Sequence, residues 1–196
     1  DLDDFIDGGD GADVLDGGAG VDTLSFESLT VGGISIGLAE FGPSFASGAS
    51  IDTASNFENL TGSNFNDTLF GSSFGALMNG LAGNVVVAGF AGNDTISGGA
   101  GDDWVYGGVG DDVLDGGAGL DWLIGDDGID VATGGAGLDV FLGGAGNDTF
   151  NGGLDGDYAY GGIGNDTLNV EDGDDWLIEG EAGNDTLVGG EGNDSL

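Results

Sequence analysis

A nine-residue period governs this chain. Counted in nines from Gly89, it reads GFAGNDTIS, GGAGDDWVY, GGVGDDVLD, GGAGLDWLI, GDDGIDVAT, GGAGLDVFL, GGAGNDTFN, GGLDGDYAY, GGIGNDTLN and VEDGDDWLI. Glu179 then stands as one extra residue, and GEAGNDTLV and GGEGNDSL resume the pattern. Two more copies, GGDGADVLD from Gly8 and GGAGVDTLS from Gly17, lie near the front. Self-similarity at a fixed short period points to stacked repeats.

The spacing carries its own physics. Glycine at the first, second and fourth places permits positive φ and close backbone approach. The last three residues of each copy form a minimal strand, so the central one faces opposite to its neighbours. Those central residues are Leu15, Leu24, Ile96, Val105, Leu114, Leu123, Ala132, Phe141, Phe150, Ala159, Leu168, Leu177, Leu187 and Leu196. All are apolar, and they are expected to form a buried row.

Composition removes most chemistries. The 196 residues include 37 Asp plus Glu but no Lys, Arg, His or Cys. Serine and cysteine triads lack a base, and zinc sites lack their usual ligands. A net charge of −37 repels nucleic acid and anionic lipid. No apolar run approaches the ~20 residues that span a bilayer, and no basic-then-apolar leader opens the chain, so export, if it happens, would use another route or a lost segment. Yet 39% of residues are hydrophobic, which argues against disorder. A chain with this much apolar surface and no positive charge needs an external counterion. An all-oxygen ligand set points to calcium.

The copies resemble the RTX, or haemolysin-type calcium-binding, nonapeptide G-G-x-G-x-D-x-U-x. The match is close over residues 4–25 and 89–196. The resemblance implies an all-β fold, a right-handed parallel β-roll with two nonapeptides per coil and calcium between successive turns. It further implies that the sixth-position Asp supplies carboxylate oxygens while the turn supplies backbone carbonyls. The carried-over ligands are Asp13, Asp22, Asp94, Asp103, Asp112, Asp121, Asp130, Asp139, Asp148, Asp157, Asp166, Asp175, Asp185 and Asp194. Asp4 and Asp67 fit the same column.

Three stretches depart from the pattern. Residues 26–61 lose the motif, although Gly17 and Gly62 remain in one frame; extra calcium-poor coils with a surface loop near residues 39–50 are expected, or an inserted segment. Residues 71–88 keep frame, but Ala76 and Val85 replace the ligand Asp while Met78 and Val87 keep the apolar row. Asp155-Gly156, Val170-Glu171 and Glu179 disturb individual turns. The chain thus divides into repeats at 1–25, degenerate coils at 26–88 and a continuous calcium-binding roll at 89–196.

In a two-per-coil roll, alternate copies fall on opposite sheets. One sheet is expected to show Trp104, Tyr106, Trp122, Ile124, Val140, Leu142, Tyr158, Tyr160, Trp176 and Ile178 outward. The other shows Thr95, Ser97, Val113, Asp115, Val131, Thr133, Thr149, Asn151, Thr167 and Asn169. With strands ~4.8 Å apart, the five rungs of the first set span about 19 Å. Such a strip suits a protein contact. Cover by residues 26–61 or by another domain, and a platform for a sugar or other ligand, are the alternatives.

The family is extracellular or cell-surface and bacterial, usually exported by type I secretion. The resemblance therefore implies a calcium-binding structural module rather than an enzyme. It would assemble or dock through the aromatic face, as in a surface layer, filament or adhesin stalk. The alternative is the secretion-and-folding module of an exported enzyme or toxin. Calcium and a protein partner or second copy are the expected partners; nucleic acid and membrane insertion are not.

Overall fold

A computed structural model describes residues 2–38, 53–176 and 178–195. The loop expected near residues 39–50, and the row positions Leu177 and Leu196, lie outside the described residues. Every element described is a strand. The first eight strands hold three residues each: β1 (Phe5–Asp7), β2 (Val14–Asp16), β3 (Thr23–Ser25), β4 (Ser35–Gly37), β5 (Thr53–Ser55), β6 (Asn59–Thr61), β7 (Thr68–Phe70) and β8 (Leu77–Asn79). From there the strands run on through the glycine pair to six residues: β9 (Val86–Ala91), β10 (Thr95–Ala100), β11 (Trp104–Val109), β12 (Val113–Ala118), β13 (Trp122–Asp127), β14 (Val131–Ala136), β15 (Val140–Ala145), β16 (Thr149–Leu154), β17 (Tyr158–Ile163) and β18 (Thr167–Asp172). Two more follow, β19 (Ile178–Ala182) and β20 (Thr186–Val188).

All pairings are parallel, and each ordinary coil returns to its own sheet after 18 residues, so two nonapeptides make one coil. One sheet has the order β1-β3-β6-β8-β10-β12-β14-β16-β18-β20; the facing one runs β19-β17-β15-β13-β11-β9-β7-β4, and β2 pairs with β5 apart from both. The result is a parallel β-solenoid of about nine turns, the β-roll that the repeat implies.

The buried row runs between the sheets. Leu114, Leu123, Ala132, Phe141, Phe150, Ala159 and Leu168 have at most 1% of their surface exposed. Phe141 and Phe150 stack across the core with centroids 4.9 Å apart. Small Ala132 and Ala159 sit on the rungs next to them, so volume is conserved along the stack. Leu15 and Leu187, nearer the ends, are partly buried against the same core. The turns need left-handed backbone at the second place: Gly117 has φ of 107°. Phe90 and Asp126 occupy that place at 76° and 72°, a strained conformation for residues with a Cβ.

Two departures matter. First, β3 pairs directly with β6, Thr23 opposite Asn59, so the chain takes 36 residues to regain the first sheet. The preserved frame thus holds one enlarged coil of 36 residues, the length of two ordinary ones. Its β4 lies beside β7 and its β5 beside β2. Residues Phe26, Ile34, Ile36, Leu38 and Phe57 of this segment turn into the core. Second, Tyr158 to Trp176 is an ordinary 18-residue step, because Trp176 N–H donates to the Asp157 carbonyl. Ala159 nevertheless pairs with Ile178. The register therefore shifts by one between Trp176 and Ile178, ahead of Glu179. Ile178, expected outside, occupies the buried row at 1% exposure, and Glu179 takes its surface place opposite Tyr160.

Candidate metal columns

The sixth-position aspartates stand one above another along the two edges of the solenoid. Each sits just before its strand, where the backbone turns inward, so its side chain enters the interior beside the apolar row. Asp94, Asp103, Asp112, Asp121, Asp130, Asp139, Asp148, Asp157, Asp166 and Asp175 are all buried, as is Asp22. Asp13, Asp185 and Asp194 are half-buried and Asp4 is exposed.

Within a column every Oδ1 accepts the N–H of the residue one coil earlier. On one edge Ala76 donates to Asp94, Asp94 to Asp112, Asp112 to Asp130, Asp130 to Asp148 and Asp148 to Asp166, at 2.7–2.9 Å. On the other, Val85 donates to Asp103, and the chain of bonds continues through Asp121, Asp139 and Asp157 to Asp175 at 2.7–2.9 Å. Beyond the inserted residue the step becomes 19, yet both ladders persist to Asp185 and Asp194. The disturbed turns do not break the columns either. Asp157 follows Asp155-Gly156 and Asp175 follows Val170-Glu171, and both keep their places.

The second oxygen has no such partner. Oδ2 is buried without a hydrogen bond in Asp22, Asp94, Asp103, Asp112, Asp121, Asp130, Asp139, Asp148, Asp157, Asp166 and Asp175. An orphaned buried polar group costs about 1–3 kcal/mol, more when charged. Burial, and then like charge above and below, pushes these carboxyls up: Asp94, Asp130 and Asp157 to about 7, Asp121 to about 6 and Asp139 to about 8. Burial raises Asp103, Asp112, Asp148, Asp166 and Asp175 as well.

These oxygens fit a hard cation. A Cβ added to Gly116 would lie 2.6 Å from Oδ2 of Asp121 and 2.8 Å from the carbonyl oxygen of Gly134, one coil on. The missing side chain thus leaves a carboxylate oxygen and a carbonyl oxygen of successive coils turned toward one place. Among the described residues no three Asp, Glu, His or Cys side chains converge, so carbonyls must complete any shell. Calcium accepts such mixed oxygen sets. The buried aspartates would hold the ion, and the ion would neutralise a column that nothing in the chain can balance.

Asp67 behaves differently from the rest of its column. Ser63 donates to it through N–H and Oγ–H at 2.6–3.1 Å, and Ile34 N–H donates at 2.8 Å. Both its oxygens are satisfied by the chain itself. At the next two places Ala76 and Val85 fill the column with apolar side chains, 4% and 0% exposed.

The aromatic face forms on the sheet that contains β11, β13, β15 and β17. Trp104 and Trp176 are 41% and 48% exposed, while Tyr106, Trp122, Ile124, Leu142, Tyr158 and Tyr160 are half-exposed. Val140 is covered by its neighbours, and Ile178 is buried as described. Trp104 and Trp122 stack with centroids 4.9 Å apart and planes 2° from parallel. Tyr158 and Trp176 meet edge to face. The structure adds two residues that the strand pattern alone missed. Leu120 and Leu138, at the fifth place of their copies, join Trp122, Val140, Leu142, Tyr158 and Tyr160 around a groove of about 580 Å³. The available signal was leucine at a place where most copies, such as those of Asp102, Asp111 and Asn147, carry Asn or Asp.

A parallel β-solenoid edged by columns of buried, unneutralised carboxylates fits a cation-binding repeat protein. The family model for the RTX calcium-binding nonapeptide repeat matches residues 1–26, 54–73, 77–105, 88–123, 124–159, 151–178 and 160–196, and the chain belongs to this family. Its repeats bind calcium and are typical of proteins that bacteria secrete. No curated protein matches the chain. Among the described residues no helix is long and apolar enough to cross a membrane.

Proposed function

We propose that the chain is a calcium-dependent structural module of an exported bacterial surface protein. It folds when calcium enters the two carboxylate columns and then meets a protein partner through its aromatic face. The observation that carries this reading is the orphaned Oδ2 in eleven buried aspartates of a chain without a single cation. Metal-free, these groups repel one another and the glycine-rich backbone is costly to order. With metal, binding free energy becomes folding free energy. Extracellular modules commonly bind calcium at ~10⁻⁴–10⁻³ M, so a compartment low in calcium would keep the chain unfolded and an exterior rich in it would fold it.

A layer, filament or adhesin stalk fits the elongated repeat. The groove on the aromatic sheet supports a second reading, a folding module docked on the catalytic domain of an exported enzyme or toxin. One calcium titration tests the common core. Circular dichroism should show a cooperative gain of β structure, reversed by chelator. A β spectrum already complete in excess chelator and indifferent to calcium would remove the proposal.

A further inference from the structure

The groove on the aromatic sheet has a composition that the repeat does not require. At the fifth place of each copy, an Asn or Asp side chain ordinarily accepts the N–H of the residue one coil later. Asp102 N–H donates to Asn84, Leu120 N–H to Asp102 and Asn193 N–H to Asp174. Leu120 and Leu138 cannot accept, so this exposed ladder stops at them. What the two coils gain is apolar surface at the mouth of the groove.

The rim has the opposite character. On the edge that leads into this sheet, Asp102 stands one coil before Leu120 and Asp174 two coils after Leu138. Asp126 and Asp127, at the end of β13, line an adjoining groove of the same sheet with Phe90 and Tyr106, and all four aspartates are exposed. An apolar, aromatic centre with a charged rim is the anatomy of a protein interface. The stacked rings of Trp104 and Trp122 cover one face of each other.

We infer that the occupant of this groove is a segment of a different protein, in which apolar residues are flanked by Lys or Arg, and not a second copy of this chain. The inference rests on the reading of the aromatic face as a contact surface. A second copy carries the same acidic rim and no cation to set against it. One calcium ion for each of the eleven orphaned oxygens would still leave every copy strongly negative. Copies pressed face to face would hold like rims within a Debye length, roughly 8 Å, where repulsion is unscreened. A basic-rimmed partner turns the same charges into attraction and faster encounter.

The test uses the full calcium-loaded chain and three fluorescent peptides of equal length, alternating Leu/Lys, Leu/Glu and Ser/Lys. By anisotropy, the Leu/Lys peptide should bind at least tenfold more tightly than Ser/Lys, and Leu/Glu should not bind. Leu120→Asn with Leu138→Asn returns the repeat's own residue type, so calcium-induced folding should persist while Leu/Lys affinity falls tenfold or more. Val113→Asp, on the exposed face of the opposite sheet, should change affinity less than twofold. Asp126→Asn with Asp127→Asn should weaken binding severalfold and flatten its dependence on salt. Equal affinity for Leu/Lys and Ser/Lys, or indifference to the leucine pair, would overturn the inference. So would calcium-dependent self-association, seen by sedimentation, that the leucine pair abolishes; that outcome would keep the contact surface and replace its partner by a second copy. Loss of calcium-induced folding in the unaltered chain would instead strike the proposed function itself.

Discussion

The coils from Asp67 to Val85 and those from Asp94 to Asp175 share one backbone path, but they solve the same electrostatic problem in opposite ways. In the first group the column is self-sufficient: Ser63 and Ile34 satisfy Asp67, and Ala76 and Val85 carry no charge. In the second, ten consecutive aspartates each leave a buried oxygen unanswered. Apolar contact is similar in both, since Leu69, Met78 and Val87 are as buried as Leu114 and Leu123. The two groups thus close their coils differently, one with side-chain hydrogen bonds and apolar groups, the other with carboxylate oxygens that the chain itself leaves without a partner.

The widest separation of the two groups is expected from chelation. Amide protection around Leu114, Leu123 and Phe141 should collapse, while protection around Leu60, Leu69 and Met78 should persist to lower calcium. Hydrogen exchange followed along a calcium titration reads this directly, and simultaneous loss in both groups would erase the contrast.

Acidity should produce a large change of the opposite sign. The folded carboxyls of Asp94, Asp121, Asp130, Asp139 and Asp157 lie at about 6 to about 8, above their unfolded value. Their stabilising effect is therefore fully present below the unfolded pKa of about 3.9 and is lost as pH rises through 6–8. Metal-free chain should gain β structure on acidification from about pH 8 to pH 5, whereas calcium-loaded chain should release its metal over the same range. Circular dichroism with a calcium electrode would show both, and a metal-free spectrum flat with pH would contradict the assignment.

Single columns can then be probed. Asp121→Ala should remove ligands from its own coil and its neighbours, raising the calcium midpoint severalfold and lowering cooperativity. Asp194→Ala, half-buried at the far end of the same column, should shift the midpoint little. Asp67→Ala should leave the midpoint unchanged but cost about 1–3 kcal/mol in denaturant melts, because it strands Ser63 and Ile34 donors. The finest effect is expected from Val85→Asp, which sets a carboxylate beside Gly80 in a metal-free coil. Calorimetry should count one more bound ion, with a lower stability in chelator.

Much of this was legible from the nine-residue frame. Strand parity placed Leu114 and Leu123 inside and Trp104 and Trp122 outside, and the two-per-coil alternation separated the aromatic sheet from the Thr/Asn sheet. The frame failed where counting residues is not the same as placing them. From Gly17 to Gly62 the count is a multiple of nine, yet the extra length enters one coil through β4 and β5. Near Trp176 the frame showed that one extra residue is present but not where the register shifts, and a shift of one place moved Ile178 from surface to core. Leu120 and Leu138 were invisible because a strand pattern does not consider the turn. The satisfied state of Asp67 depends on Ser63 and on Ile34, and the latter lies 33 residues away, beyond any local pattern.

The ladders along the columns point in one direction only: each carboxylate takes its hydrogen bond from the coil before it. An interior coil thus completes its carboxylate bonds against its N-terminal neighbour and its aspartate N–H bonds against its C-terminal one. Coil formation is in this respect a polymerisation in which each interior unit is closed from both sides, and Ala76 and Val85, which donate to a column without contributing a carboxylate to it, stand at one end of the two columns. Growth can start at any coil and proceeds unit by unit with nearest-neighbour coupling, as in a one-dimensional lattice. Its extent is then set by how far along the chain the counterion has reached.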